Sequence, residues 1–540
     1  MTLTPSTWLT PRRITFAVLL GFALVLWLPT GFNGGLTGDA WAYFAFADQG
    51  NIPSFAERPM LPLAWWAAYA LSPGLATGIN IVALLLLFGK AACAALIGFR
   101  LELPPALCFA VGALTLVFPA DTGTFYLGAL AIHCAAFCYF LAVYLLIVYW
   151  QSRRITTLVM MTAALFISVN IYEITLVLSL ITPLILLFFQ RKIDWPLIRT
   201  ALLWYEVPLL RIALTVWLIT NTRAFGYQSG LFDPNWTIGG IVEAVGTIYA
   251  RHLVTAWVVP QGEVSALAFG LAGLAGLVGA WVIGRLATAP RTDLPVMDRR
   301  AILIALVCLA LIGLGTSLYL ITRDRLSSLR TYYYSAVGAA GVIALVLWAV
   351  SRRSPRYANA LFAAGIGVLV GLGTLRLLEQ HTRYFAFARE IQTLPLKIAE
   401  VLPTIQPGTA ILITGDFADD ALRRPIPSTW WYFQPVVHSL YADRSLAFAY
   451  CYPDQPAPWG TDQEQCAFQQ TRVQVSIYNG TVRLVDHPYE QVIVLRHDGD
   501  RLEIVTDLAP YVGREVSAYQ PEQRYSTAGS PPRLGSLFVP

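Results

Sequence analysis

The chain has 540 residues, 56% of them hydrophobic and only 13% charged, with a mean hydropathy of +0.58 and a formal net charge of +5. A soluble globular domain of this length has no use for that much apolar surface, and no nucleic-acid partner is expected. Repeated runs of roughly 15–25 apolar residues predict a polytopic membrane protein instead.

In chain order, residues 14–28 follow Arg12 and Arg13 and read as a signal anchor with a cytoplasmic N-terminus, since no small-residue cleavage site follows. A first outer loop then runs over about residues 29–62 and is rich in glycine and aromatics. The Trp-rich block 63–71, closed by Ser72-Pro73-Gly74, is too short to span. It reads as a surface helix with Trp65 and Trp66 at the headgroup level. Further spans read as 76–98, 106–118, 126–149, 155–169, 174–189, 197–219, 264–283, 301–321, 334–350 and 358–375. The total is about eleven. Segment 238–259 carries Glu243, Arg251 and His252 and reads as an interfacial helix on the outer side. With these sides alternating, Arg100, Arg153, Arg154, Lys192, Arg285, Arg352, Arg353 and Arg356 all fall inside, as the positive-inside preference requires.

Three features lie within the spans. Lys90 is expected to snorkel toward the cytoplasm. Glu206 and Arg211 read as an ion pair buried between helices. Gly270, Gly273, Gly276 and Gly279 read as a helix-packing face. Cys93, Cys108, Cys134, Cys138 and Cys308 lie in apolar runs and read as small hydrophobic residues.

From residue 379 onward there are 13 Lys and Arg against 18 Asp and Glu, so the acidic tail reads as a separate solvated domain over 379–540, after a membrane domain over 1–378. Residues 410–414 read as a buried strand. Residues 473–478 and 481–485 flank Asn479-Gly480, and 491–496 and 501–505 flank a second turn, so two hairpins are expected. The predicted fold is mostly α: a transmembrane helix bundle with a small C-terminal extracytoplasmic α/β domain. Cys451 and Cys466 flank a Pro-rich loop and are expected to form a disulfide there.

The outer junctions collect the unusual polar residues. Asp39 stands in T-G-D-A-W-A-Y, Glu57 and Arg58 in A-E-R-P, Asp121 in P-A-D-T-G-T-F-Y, and Tyr172 and Glu173 in V-N-I-Y-E-I. A fourth outer segment holds Arg223, Tyr227 and Asp233, and a fifth holds Arg323, Asp324, Arg325 and Arg330 before a run of tyrosines at 332–334. Carboxylates beside aromatics and arginines at a membrane edge suit glycosyl transfer. A carboxylate can deprotonate the acceptor, and arginine offers a planar fork to a lipid-phosphate leaving group.

The arrangement resembles the GT-C superfamily of integral-membrane glycosyltransferases. Asp39 matches the essential first-loop acid, Asp121 a second acid of the second outer loop, and Arg58 a donor-contacting basic position. The family's frequent acid pair is absent, because Ala40 follows Asp39, and Trp430-Trp431 is followed by Tyr432 rather than the acid of the peptide-transferring branch. The resemblance implies an inverting hexosyl- or pentosyltransferase of the cell membrane. Its donor would be a polyprenyl-phosphate sugar and its acceptor a lipid, glycan or protein at the outer face. Asp39 and Asp121 would be catalytic. Glu57, Arg58, Tyr172, Glu173, Arg323, Arg325 and Arg330 would hold substrate. A divalent cation, Mg or Mn, is left open. The rival readings are a transporter or flippase of a lipid-linked substrate and a non-catalytic subunit of an envelope assembly.

Overall fold

A computed structural model describes residues 5–36, 39–50, 52, 56–73, 76–120, 123–190, 192–221, 233, 235–258, 264–287, 299–322, 332–415, 429–451, 466–478, 482–498, 501–525, 529 and 531–532. Its helices are α1 (Pro5–Trp27), α2 (Asp39–Asp48), α3 (Pro62–Leu71), α4 (Ala76–Arg100), α5 (Pro105–Leu116), α6 (Leu130–Ser152), α7 (Ile155–Ile171), α8 (Ile174–Ile181), α9 (Trp195–Asn221), α10 (Ile238–Leu253), α11 (Ala266–Ala287), α12 (Arg299–Leu314), α13 (Tyr332–Ser351), α14 (Ala358–Val401) and α15 (Thr429–Tyr441). The chain divides into two compact units. The first holds Met1–Phe32, Ser54–Ala64 and Asn80–Arg383; the second holds Asn33–Pro53, Trp65–Ile79 and Tyr384–Pro540. The second unit therefore includes most of the first loop as well as the tail.

The first unit is helical. Among the described residues, seven helices are long and apolar enough to cross a membrane: Ala76–Arg100, Leu127–Ser152, Trp195–Asn221, Ala266–Ala287, Arg300–Tyr319, Tyr332–Ser351 and Ala358–Ala386. The protein is a multi-pass membrane protein, and seven of the expected eleven spans meet that length and composition among the described residues. Three expected spans fall on shorter apolar helices, Pro105–Leu116, Ile155–Ile171 and Ile174–Phe188. At 1.5 Å per residue, the 12 residues of α5 reach only about 18 Å. Pro104 and Pro105 open α5, where a missing N–H costs nothing. It is buried along nearly its whole length and packs on α1, α11 and α13. After α8, Pro183 enters a tighter 3₁₀ turn, Thr182–Phe188. At 16 residues, α10 is also below spanning length.

The expected glycine face is half realised. A Cβ at Gly276 would lie 2.8 Å from the Gly367 carbonyl oxygen, and Gly279 faces Val370, so α11 meets α14 at close range. Nothing lies within 4 Å of a Cβ at Gly270 or Gly273.

The second unit is built on a four-stranded sheet in the order β2-β1-β6-β7, from β1 (Ala410–Gly415), β2 (Ala447–Tyr450), β6 (Val492–Asp498) and β7 (Arg501–Ile504). β1 pairs in parallel with β2 and β6, and β7 returns antiparallel to β6. A three-stranded antiparallel sheet, β3 (Cys466–Phe468), β4 (Arg472–Tyr478) and β5 (Val482–Pro488), holds the expected hairpin in the register Tyr478↔Val482. Side chains alternate across a strand. Ile411, Ile413, Ile493 and Leu495 therefore share one core with α15 and the end of α14, while Ala410, Leu412, Val492 and Val494 share another with β3 and β4. Cys451 and Cys466, both buried, are joined as a disulfide with Cα atoms 5.0 Å apart.

α2 was not foreseen. The stretch 39–48 was expected as loop, yet its alanines and aromatics form a helix whose Ala40, Ala42, Phe44 and Ala45 are buried. Trp65 is not displayed at a surface either. It is buried and stacks on Tyr43 with ring centroids 4.8 Å apart.

Candidate functional site

Four residues singled out from the sequence meet in the first unit. The apolar run from α7 into α8 breaks at Tyr172 and Glu173. Tyr172 turns extended (φ −147°, ψ 128°), and its carbonyl then accepts from the Thr175 hydroxyl at 2.5 Å. Glu173 stands at the N-cap of α8 but makes no side-chain capping bond. Its carboxylate is taken by Arg58 instead. Arg58 Nε donates to Oε1 at 2.8 Å and Nη2 to Oε2 at 3.0 Å, a two-point ion pair with both side chains 22% exposed. The Arg58 guanidinium also lies 5.3 Å from the centre of the Tyr172 ring. The segment bearing Arg58 is tied to α7 by Met60 N donating to Asn170 O at 3.3 Å.

Aromatic residues close the other side. Tyr172 stacks nearly parallel on Tyr334, centroids 6.5 Å apart, and its hydroxyl is hydrogen-bonded to the Tyr319 hydroxyl. One turn along α13 from Tyr334, Val337 begins the wall of an apolar cavity of about 380 Å³, lined also by Leu107, Phe140, Ile185, Leu311 and Leu345.

The residue that sequence reasoning misassigned is Arg211. Its guanidinium was expected to pair with Glu206. Instead Glu206 is exposed, while Arg211 is 3% exposed and donates through Nη2 to the Glu57 carbonyl. Nε and Nη1 of Arg211 are buried and have no hydrogen-bond partner among the described residues. Glu173, Glu57 and Arg58 are the charges that act on it. Pro208, three positions earlier in α9, leaves one backbone carbonyl of this stretch without its usual helical donor. Glu57 takes part through its backbone, and that carbonyl anchors the guanidinium.

Lys90 does not snorkel. It is 2% exposed, donates to the Tyr333 carbonyl at 3.3 Å and lies 5.6 Å from the Tyr333 ring. His133 packs edge-on against the same ring at 4.1 Å and is bonded through Nε2 to the Thr124 carbonyl at 3.1 Å.

Asp39 is the first residue of α2 and belongs to the second unit. Asp121, Arg223, Tyr227, Arg323, Asp324, Arg325 and Arg330 lie outside the described residues. Asp233 is turn chemistry, its carboxylate accepting from Asn235 N at 3.0 Å. Glu173 is not free to hold a divalent cation. Glu173 gives both oxygens to Arg58, Arg211 adds a second positive charge, and no group of three His, Cys, Asp or Glu is gathered among the described residues.

No protein-family model matches the chain, and no curated protein matches its sequence. It is similar to two solved structures of ArnT from Cupriavidus metallidurans. One, bound to undecaprenyl phosphate, is 13% identical over 84% of this chain and 87% of that one, with a TM-score of 0.45. The other, in the apo state, is 14% identical over 82% and 86%, with a TM-score of 0.44.

Proposed function

We propose that the chain is a membrane glycosyltransferase of the GT-C kind, taking a sugar from a polyprenyl-phosphate donor at the outer face of the membrane. The observation that carries this reading is Arg211. A guanidinium with two buried nitrogens that have no hydrogen-bond partner among the described residues is costly, and an anion placed there would relieve that cost. Arg58, already oriented by Glu173, supplies a second positive charge beside it. The apolar cavity that starts one turn from Tyr334 suits the hydrocarbon of a lipid-linked phosphate.

The transfer is an inversion at the anomeric carbon. Asp39, as general base, takes the proton of an acceptor hydroxyl or amine, and the freed lone pair forms the new bond to the anomeric carbon. The bond from that carbon to the phosphate oxygen breaks, and the polyprenyl phosphate leaves with the electron pair, stabilised by arginine. Asp121 keeps the auxiliary role that the resemblance gives it, and Arg323, Arg325 and Arg330 the phosphate-holding role that arginine chemistry gives them. The basic loops and the Cys451–Cys466 disulfide, a bond suited to an oxidising compartment, support an outer placement.

The test is equilibrium binding of a polyprenyl phosphate to the detergent-solubilised full chain. Arg211→Gln should weaken binding roughly 10- to 100-fold, the worth of a charged hydrogen bond. Unchanged binding would remove Arg211 from the phosphate and take the carrying observation with it.

A further inference from the structure

The tail has no catalytic motif, yet it holds the helix that opens on Asp39. At ten residues, α2 is too short to be stable alone, so its placement must come from packing. Within the second unit, Ala45 is fully buried in the core formed by Val436, Leu440, Ile411 and Ile493. The end of α2 is then bonded to α15. Gln49 Nε2 donates to the Pro435 carbonyl at 3.1 Å and to Ser439 Oγ at 3.3 Å, and Ser439 Oγ donates to the Ala45 carbonyl at 3.4 Å. Arg444 donates to the Gln49 carbonyl.

The approach to α2 is held as well. Phe385, on the part of α14 that belongs to this unit, packs on Gly34 and Gly35, where an added Cβ would come within 2.9 and 2.8 Å of its ring. Gly35 also has φ +84°, which disfavours any other residue. Contacts on both sides of Asp39 thus come from the C-terminal part of the chain: Phe385 before the helix, Pro435, Ser439 and Arg444 after it.

We propose that the C-terminal unit is a holder for α2, and that Gln49 and Ser439 are positioning residues that act through Asp39. This rests on the reading of Asp39 as the general base. It assigns the tail a role in the catalytic step rather than in capturing donor or acceptor.

The experiment pairs two measurements on the full chain. Hydrogen exchange of peptides covering 39–48 reads the hold on α2 directly, and transfer kinetics read its consequence. Ser439→Val and Ser439→Thr differ only in a hydroxyl. Val should speed exchange of α2 about 3- to 10-fold, the worth of a hydrogen bond, and lower kcat with the donor KM unchanged. Thr should restore both, and Gln49→Leu should behave as Val does. Equal behaviour of Val and Thr, unchanged exchange of α2, or a loss appearing in KM instead of kcat would overturn the proposal. Normal transfer by Asp39→Asn would instead overturn the base assignment, while the exchange measurement would still decide whether α2 is held as described.

Discussion

Arg58 and Glu173, 115 positions apart in sequence, meet with both guanidinium edge nitrogens on both carboxylate oxygens, at 2.8 and 3.0 Å. The pair ties the first outer loop to the break between α7 and α8 within the helical unit, and it is half-buried rather than displayed. A pair of this geometry orients both partners, so removing one frees the other as well as weakening the fold.

Glu173→Gln keeps the size but loses the charge. It should destabilise the helical unit by ~1–3 kcal/mol, as expected for charged hydrogen bonds, and lower donor affinity because Arg58 loses its fixed direction. Thermal unfolding in detergent, read with lipid-phosphate binding, checks both effects. A melting point and affinity like those of the native chain would show the pair to be idle.

The disulfide links the end of β2 to β3 and so staples the four-stranded sheet to the three-stranded one. Closing a short loop stabilises by ~2–4 kcal/mol through the unfolded chain. Cys451→Ser should lower the unfolding transition of the C-terminal unit accordingly. Alkylation of the unfolded chain without reduction should leave both cysteines unlabelled, and labelling of either would contradict the disulfide.

Acid should weaken the same unit. His438 is half-buried on α15, with Nε2 2.7 Å from the Leu446 carbonyl. Burial pushes its pKa below the ordinary 6.5, outweighing the carbonyl and Asp443, which act the other way. His487 is shifted down by burial too. The unfolded chain therefore takes up protons first. The stability these neutral rings provide is complete above about pH 6.5 and is lost as pH falls toward their lowered folded values. Melting of the unit should drop between about pH 7.5 and 5.5, and His438→Gln, which keeps a donor for Leu446, should flatten that slope. A slope identical to the native one would assign the effect elsewhere.

Glu57, Arg58, Tyr172 and Glu173 were legible because polar residues at the ends of apolar runs stand out in a chain so poor in charge. Arg211 was noticed but given the wrong partner. Positions 206 and 211 are five apart, about 140° around a helix, so they point to different sides; Glu206 faces out and Arg211 in. Lys90 was expected to stretch to the nearest water, but the Tyr333 carbonyl and ring give the ammonium a closer partner. In the tail, β1 was legible as a short apolar run and β4 to β7 through the turn signals between them, whereas β2 and β3 were not foreseen. Nor was α2, because its packing partner α15 lies almost 400 residues away. Short helices made by such distant contacts leave little periodicity of their own.

The most direct measurement is sugar transfer from a polyprenyl-phosphate sugar by the full chain in liposomes, with expression matched across variants. The native chain should transfer sugar. Asp39→Asn should be slower by ~10²–10⁴-fold while still binding the lipid phosphate, because only the base is lost. Arg211→Gln should fail mainly in donor capture. Transfer by Asp39→Asn at the native rate, or a native chain that neither binds nor uses a lipid-linked phosphate, would contradict the account.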